Sequence, residues 1–219
     1  MLNNIAAKLC FELGSKEIIL WNSDLWCVKE EYFLEILERH RKQESKVSGT
    51  KLVYPPLEIS LNSETDSENI KNTFPQLMGG KWREKIQFGG DRWIGGNKYV
   101  NLLPYHFKRF ADKENPLVNC DRGSFFVTGA FQIWDLNYYL SIGGLNPSLS
   151  KNFQDVDICL KVIESGRDVH YFGKDLFFYH DESLNMHSLK NEKKNDQQMT
   201  SDFFLFGKLW NEKLPSILG

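Results

Sequence analysis

Three short polar segments of this 219-residue chain contain residue types that could do chemistry. The first is Asn22-Ser23-Asp24, which directly follows the apolar run at 17–21. Mg²⁺ and Mn²⁺ prefer oxygen ligands and often bridge to phosphate oxygens, so a carboxylate at the end of a strand could hold such an ion. Taken alone, an ordinary Asx-turn in which Asp24 caps the next helix is the commoner explanation.

The second segment is Gln154-Asp155-Val156-Asp157, which opens a predicted helix. The positive end of a helix dipole favours ionised carboxylates in the first turn. An ionised, positioned carboxylate can accept a proton from an attacking hydroxyl group. Plain helix capping explains the same residues, so this segment does not identify an active site by itself.

The third segment contains His180, which could contact a metal ion or a diphosphate or could be a loop histidine without a role. Two glycine-containing segments, Val127-Thr128-Gly129-Ala130 and Gly143-Gly144-Leu145, also stand out. Gly129 lies inside a predicted strand, where glycine indicates close approach of backbone or ligand. A helix C-cap accounts for Gly143 and Gly144.

The elements that must position these residues begin with helices at 3–13 and 30–41 and strands at 17–21 and 46–54. After Glu17 the strand at 17–21 is an unbroken apolar run, which predicts burial on both faces. Alternation of helix and strand predicts an α/β fold with a mostly parallel sheet. In such sheets ligands bind outside the carboxyl ends of strands, which is where Asp24 lies.

The second half of the chain is predicted from the same kinds of signal. Glycines and tryptophans at 79–97 indicate irregular loops and a hairpin. Further predicted elements are a strand at 125–131, a helix from Asp135 through Leu140, a helix opening at 152–157 and ending at Gly166, strands at 168–172 and 176–179, and a tail helix at 202–210.

Composition excludes several classes of protein. The net charge is −2, so we expect no basic face and no nucleic-acid partner. The four cysteines are scattered, without a C-x-x-C pair, which argues against zinc and for free thiols in a reducing compartment. No signal peptide or apolar stretch of ~20 residues is seen. We therefore expect a cytosolic protein without a transmembrane segment, and peripheral attachment to a membrane through partners stays open.

In order and spacing, these segments together resemble family-2 glycosyltransferases of the GT-A fold, particularly those that build bacterial-type surface polysaccharides. Members typically have a D-x-D-like turn after a buried strand, a "TGA" strand, a "GGF-D-E" turn, an "E-D-x-D-x-C" helix start and a late histidine. The resemblance covers about 4–183 and implies a GT-A-like, Rossmann-like sheet flanked by helices.

The resemblance implies a metal-dependent transfer from a nucleoside-diphosphate sugar to a glycan, lipid-linked or protein acceptor. By this resemblance Asp24 would ligate Mn²⁺ or Mg²⁺ on the donor diphosphate, and His180 would reach the metal or the leaving diphosphate. Asp155 would be the general base on the acceptor hydroxyl, and Asp157 a second acid that orients the acceptor.

Besides His180, three further positions are implied to bind substrate. Asn22 would touch the ribose, or the metal through water. Gly129 would let the donor sugar approach closely, and Gly144 belongs to the glycine turn of the motif.

The chain departs from the family pattern in three places. Asn22 replaces the first Asp of the metal motif, and Gln154 replaces the Glu before Asp155. The family's leading strand–helix–strand unit, which binds the nucleoside base, has no counterpart ahead of Asn4, so we expect an N-terminally truncated domain.

Within a single domain, we expect a metal and donor side at 1–60 and a variable loop region at 61–123. An acceptor and catalytic side would follow at 124–185 and a tail helix at 186–219. Two other hypotheses remain open. One is a catalytically incompetent remnant or interaction module. The other is a metal-dependent phosphoryl-transfer or hydrolase domain, which would leave the Gly129 and Gly143-Gly144 spacing unexplained.

Overall fold

The computed structural model describes residues 2–56, 82–181 and 192–219. The first part of the chain follows the predicted rhythm of helix, strand, helix and strand. Its elements are α1 (Leu2–Glu12), β1 (Glu17–Trp21), β2 (Leu25–Cys27), α2 (Glu30–Lys42), β3 (Val47–Thr50) and β4 (Leu52–Val53). The predicted helices at 3–13 and 30–41 and the strand at 17–21 are therefore confirmed.

The rest of the chain supplies seven strands and four helices to the described structure. They are β5 (Ile86–Phe88), β6 (Asp91–Gly95), β7 (Leu102–His106), β8 (Asp121–Ser124), β9 (Phe131–Asp135), α3 (Leu136–Ser141), α4 (Gln154–Glu164), β10 (Val169–Phe172), β11 (Phe178–His180), α5 (Glu192–Trp210) and α6 (Leu214–Leu218). Asp135 caps α3, as predicted, because its side chain accepts a hydrogen bond from the Tyr138 backbone N–H.

The strands form a five-stranded sheet in the order β1-β9-β3-β10-β8, a four-stranded sheet in the order β2-β11-β4-β5, and the hairpin β6-β7. A mixed α/β fold is confirmed, but the prediction of a mostly parallel sheet is wrong. In the described part of the chain only β3–β10 and β4–β11 pair in parallel, and the other six strand pairs are antiparallel. The apolar pattern of a strand reports burial and not direction. It could not reveal that β9 inserts antiparallel between β1 and β3.

The predicted strand at 125–131 is also wrong in its position. β8 ends at Ser124 and β9 begins at Phe131, with a buried loop between them. Several backbone groups of this loop bond to side chains instead of forming a strand ladder. For example, the Gln132 amide donates to the Val127 carbonyl oxygen, and the Asp155 carboxylate accepts from the Gly129 N–H. The apolar residues of the run indicated burial correctly, but burial does not require a strand.

Strand β1 lies at the edge of the five-stranded sheet, so the prediction that both of its faces are buried is wrong. Only Ile18 is buried, and Trp21 is 41% exposed. The carboxyl end of β1 leads directly into the polar turn that contains Asn22 and Asp24.

Helix α5 begins ten residues before the predicted start at 202 and ends at Trp210, as predicted. Its Phe206 and Trp210 side chains are buried in the main core. No helix in the described ranges is both long enough and apolar enough to cross a membrane.

Acidification is expected to destabilise the fold through His40. This side chain is buried on α2, and its Nδ1 lies 2.8 Å from Ser48 Oγ. Desolvation lowers the pKa of His40 from 6.5 to about 4. The unfolded chain then binds the proton more readily, so stability is full above about pH 6.5 and is lost as the pH falls towards about 4.

Because of His40, we expect the free energy of unfolding to fall by about 2 kcal/mol as the pH is lowered from about 7 to about 5. Ordinary carboxylates titrate below this pH range and contribute little to the change. Urea unfolding at both pH values would measure this loss, which should be smaller in His40→Gln. An equal pH dependence in the wild type and the variant would contradict the assignment to His40.

Candidate functional site

The strand ends, the β8–β9 loop and the start of α4 surround one cavity of about 320 Å³. Four of the residues singled out in the sequence line it: Asn22, Gly129, Asp155 and His180. The rest of its lining is Asn3, Leu20, Gln87, His106, Thr128, Ala130, Gln132, Leu145, Lys151 and Gln154. The volume falls in the usual range of small-molecule sites.

Asp155 lies in the first turn of α4 with its carboxylate held by two backbone donors. Oδ2 accepts from Gly129 N–H at 2.7 Å, and Oδ1 accepts from Val156 N–H at 2.9 Å. Desolvation raises the pKa of Asp155, although these two bonds oppose the shift. A fixed carboxylate of raised basicity at a cavity wall is suited to accepting a proton.

Gly129 allows this arrangement because it lies against Asp155. A Cβ atom at position 129 would lie 3.2 Å from the Asp155 Cβ and 3.5 Å from Oδ2. Even a methyl group at this position would be tight against Asp155, which would have to move by a few tenths of an ångström. The close approach that the sequence predicted at Gly129 exists, and its described partner is Asp155.

Asp24 and His180 meet beside the cavity because β2 and β11 are antiparallel neighbours. His180 Nε2 lies 3.2 Å from Asp24 Oδ1, close enough for an ion pair but without the geometry of a hydrogen bond. His180 is only 5% exposed, and neither of its ring nitrogens has a hydrogen-bond partner among the described residues. Buried polar atoms are normally partnered, so the His180 ring is suited to a ligand.

The pair fits part of a divalent metal site. Within the described ranges, no group of three or more His, Cys, Asp or Glu side chains is placed to hold a metal. A metal that binds phosphates needs only one or two protein ligands, because substrate oxygens and water complete its shell. Asp24 and His180 could supply those two ligands, and the unpartnered ring nitrogens of His180 fit this role.

Asp157 and Gly144 do not line the cavity. Residues two apart on a helix are about 200° apart around its axis, so Asp157 cannot share the direction of Asp155. Its carboxylate is fully buried, where Oδ1 accepts from Trp210 Nε1–H at 2.9 Å and Oδ2 lies 2.7 Å from Lys161 Nζ. The carboxylate of Asp157 therefore contacts the end of α5 and does not reach the cavity.

Gly144 lies at the turn after α3, behind Leu145, which does line the cavity. Its φ is +67°, and a Cβ there would lie 2.6 Å from Asn4 Oδ1. The position therefore requires glycine for the turn and for packing against α1.

Asp202 supports the start of α4, although nothing in the sequence singled it out. This buried carboxylate on α5 accepts hydrogen bonds from the backbone N–H groups of Ser150, Lys151 and Asn152, at 2.8 to 3.1 Å. Phe153, the next residue, stacks on Phe206. Helix α5 thereby holds the loop that delivers Asp155, a long-range arrangement without a local signal.

Sequence reasoning also assigned no role to Gln87, His106 and Lys151, which line the cavity. Gln87 lies in the glycine-rich region at 79–97, where no pattern pointed to its side chain. One signal could have identified Gln87: a polar residue inside a short apolar strand is expected to need a partner when the strand is buried.

A second cavity, of about 540 Å³, adjoins the first. The two share the lining residues Asn3, Leu20, Asn22 and Gly129. The second cavity runs along β1 and is walled on its other side by small residues of α1, including Ala6 and Ala7. The turn at Asn22 therefore lies where two cavities meet.

Comparison with known proteins names no relative: no protein-family model matches the chain, and no curated protein matches it. Interpretation of the site therefore depends on its geometry and chemistry.

Proposed function

We propose that this chain is the catalytic region of a glycosyltransferase. It would move a sugar from a nucleoside diphosphate to a hydroxyl group of a glycan, a lipid-linked acceptor or a protein. The observation that carries the proposal is the convergence of Asn22, Gly129, Asp155 and His180 on one cavity, with Asp24 in contact with His180. These residues are far apart in the chain and belong to the ordered series that resembles a GT-A enzyme. We propose a GT-A-like arrangement on the same basis.

The two adjoining cavities support a reaction with two substrates. We assign the acceptor and the sugar-diphosphate end of the donor to the cavity lined by Asp155 and His180, and the nucleoside part of the donor to the cavity along β1. The sugar to be transferred would lie where they meet, beside Asn22 and Gly129.

All four cysteines are free, which agrees with a cytosolic location.

In the proposed reaction an acceptor hydroxyl oxygen attacks the anomeric carbon of the donor sugar. The new carbon–oxygen bond forms as the bond to the diphosphate breaks, and the diphosphate leaves with the electron pair. Asp155 takes the hydroxyl proton, and its bonds to Gly129 and Val156 keep the carboxylate aimed into the cavity. Asp24 and His180 would hold Mn²⁺ or Mg²⁺, which supplies positive charge for the leaving diphosphate.

Donor binding tests the proposal. Isothermal titration calorimetry with Mn²⁺ should show saturable binding of at least one of UDP-glucose, UDP-N-acetylglucosamine and GDP-mannose. In Asp24→Asn the affinity should fall by at least about tenfold, since a metal ligand is lost. Asp168→Asn removes an exposed carboxylate away from the cavity and should leave the affinity unchanged.

Absence of saturable binding for all three donors, or equal affinity in Asp24→Asn and the wild type, would contradict the proposed donor site. Donor binding without any sugar transfer would instead favour a catalytically incompetent module.

A further inference from the structure

The wall of the cavity that comes from β5 and β7 contains Gln87 and His106. Neither residue has a role in the proposed reaction. Both come from the segment between β4 and β8, outside the strand ends and the helix start that supply Asp24, Asp155 and His180. This wall can therefore set which substrate the cavity accepts without taking part in bond making.

Gln87 is the extra residue of a β-bulge. Leu52 of β4 pairs with Phe88, while the next residue, Val53, pairs with Ile86, so Gln87 has no partner across the strand pair. Its neighbours Ile86 and Phe88 are fully buried in the core. A bulge redirects a side chain out of the regular alternation, and bulges are common next to active sites. Here the bulged residue, Gln87, is one of those that line the cavity.

The Gln87 side chain is 2% exposed, and its Oε1 atom has no hydrogen-bond partner among the described residues. An unpartnered buried carbonyl oxygen destabilises a fold, and native proteins keep few of them. Oε1 itself is buried, but Gln87 is one of the residues that line the cavity, so a small rotation of its side chain would present this atom to a ligand that supplies the missing donor.

His106 keeps the bulge in place. Its Nδ1 lies 2.9 Å from the backbone carbonyl oxygen of Gln87. A carbonyl oxygen can only accept, so Nδ1 must carry the proton. The bond fixes the backbone from which the Gln87 side chain projects, and it makes the site pre-organised.

We infer that the Gln87 side-chain amide binds a hydroxyl group of a sugar acceptor, and that Gln87 determines which acceptor the cavity takes. The inference depends on the proposed function for the assignment of this cavity to the acceptor. The unpartnered atom, Gln87 Oε1, is a hydrogen-bond acceptor and needs a donor. An ionised carboxylate or phosphate has no proton to donate, so neither can be its partner. A hydroxyl group can donate to Oε1 and can also accept from the amide N–H₂, so it satisfies the whole side chain.

The experiment compares Gln87→Met with Gln43→Met, the same substitution at an exposed glutamine after α2. Methionine keeps the length of glutamine but cannot make its hydrogen bonds. Methyl glycosides of glucose, galactose, mannose and N-acetylglucosamine are titrated into ¹⁵N-labelled protein at millimolar concentrations. The Gln87 side-chain amide resonance is identified by its absence in Gln87→Met.

At least one glycoside should shift the Gln87 amide saturably. Its affinity should fall on the order of tenfold or more in Gln87→Met and stay at the wild-type value in Gln43→Met. The melting temperature of Gln87→Met should equal or exceed that of the wild type, because an unpartnered polar atom has been removed. A lowered melting temperature would indicate a purely structural role.

No shift by any glycoside, or equal affinity in Gln87→Met, would overturn the inference. These outcomes are distinct from failure of the proposed function, which is tested by donor binding and sugar transfer. Glycoside binding at Gln87 without donor binding would leave a carbohydrate site in a chain that is not a transferase.

Discussion

Replacing Asp155 by asparagine is expected to lower the kcat of sugar transfer by about 10²- to 10⁴-fold, the usual contribution of a general base. Donor affinity should change little, because the proposed metal ligands come from other parts of the chain, Asp24 from the turn between β1 and β2 and His180 from β11. The fold should be kept, because an asparagine carbonyl oxygen can still accept the Gly129 N–H bond. Turnover and calorimetry on one preparation would separate the effect on chemistry from the effect on binding.

The pH profile gives this prediction a second readout. Burial raises the pKa of Asp155, and the base works only when ionised. Wild-type turnover should therefore fall as the pH decreases through a value above the ordinary range of an aspartate, and this acidic limb should be absent from the residual activity of Asp155→Asn. Asp168→Asn should keep both the rate and the limb. Wild-type turnover by Asp155→Asn would remove Asp155 from the role of base.

Replacing Asp157 by alanine is expected to cost stability more than chemistry. The change leaves the Trp210 N–H without its buried acceptor and the Lys161 ammonium without its ion-pair partner. Lys161 is 32% exposed and can turn to water, so we discount its share. The expected loss is about 3 kcal/mol, which lowers the melting temperature of a chain of this size by ~10 °C.

Glu38→Ala is the matched control, since Glu38 is exposed on α2 and the change should stay within about 0.5 kcal/mol. Differential scanning calorimetry measures both variants. Turnover per folded molecule, measured well below the melting temperature, should stay within a few-fold of the wild type for Asp157→Ala. A variant with wild-type stability and no turnover would show instead that Asp157 acts in catalysis.

The two carboxylates of one helix turn show why neighbouring acids in a motif need not share a role. Asp155 faces a cavity and is bonded by backbone N–H groups, whereas Asp157 faces the core and is bonded by Trp210 from the far end of the chain. Helical geometry alone separates their directions by about 200°, so the difference could have been derived from the sequence. The identity of each partner could not.

Several features could be predicted from the sequence because they depend on interactions between residues close together in the chain. The helix at 30–41 follows from its apolar spacing, the cap at Asp135 from a side chain that bonds the first turn, and the helix start at Gln154 from acidic residues at the positive end of a dipole. The polar turn at Asn22 and the unusual position of Gly129 within an apolar run were also visible, because both are local signals, whereas the partner of Gly129, Asp155, is 26 positions away. The sequence by itself therefore determined where α1 to α4 lie and which short segments could be given a chemical hypothesis.

Only the tertiary structure decided which of those segments meet. The insertion of β9 between β1 and β3, the bulge at Gln87 and the support of the α4 start by Asp202 all join residues far apart in the chain. Such pairings depend on strand order, on register and on the packing of distant side chains. No pattern within a short stretch of sequence reports these long-range contacts. For that reason the cavity beside Asp155 and the unpartnered amide of Gln87 became visible only in three dimensions.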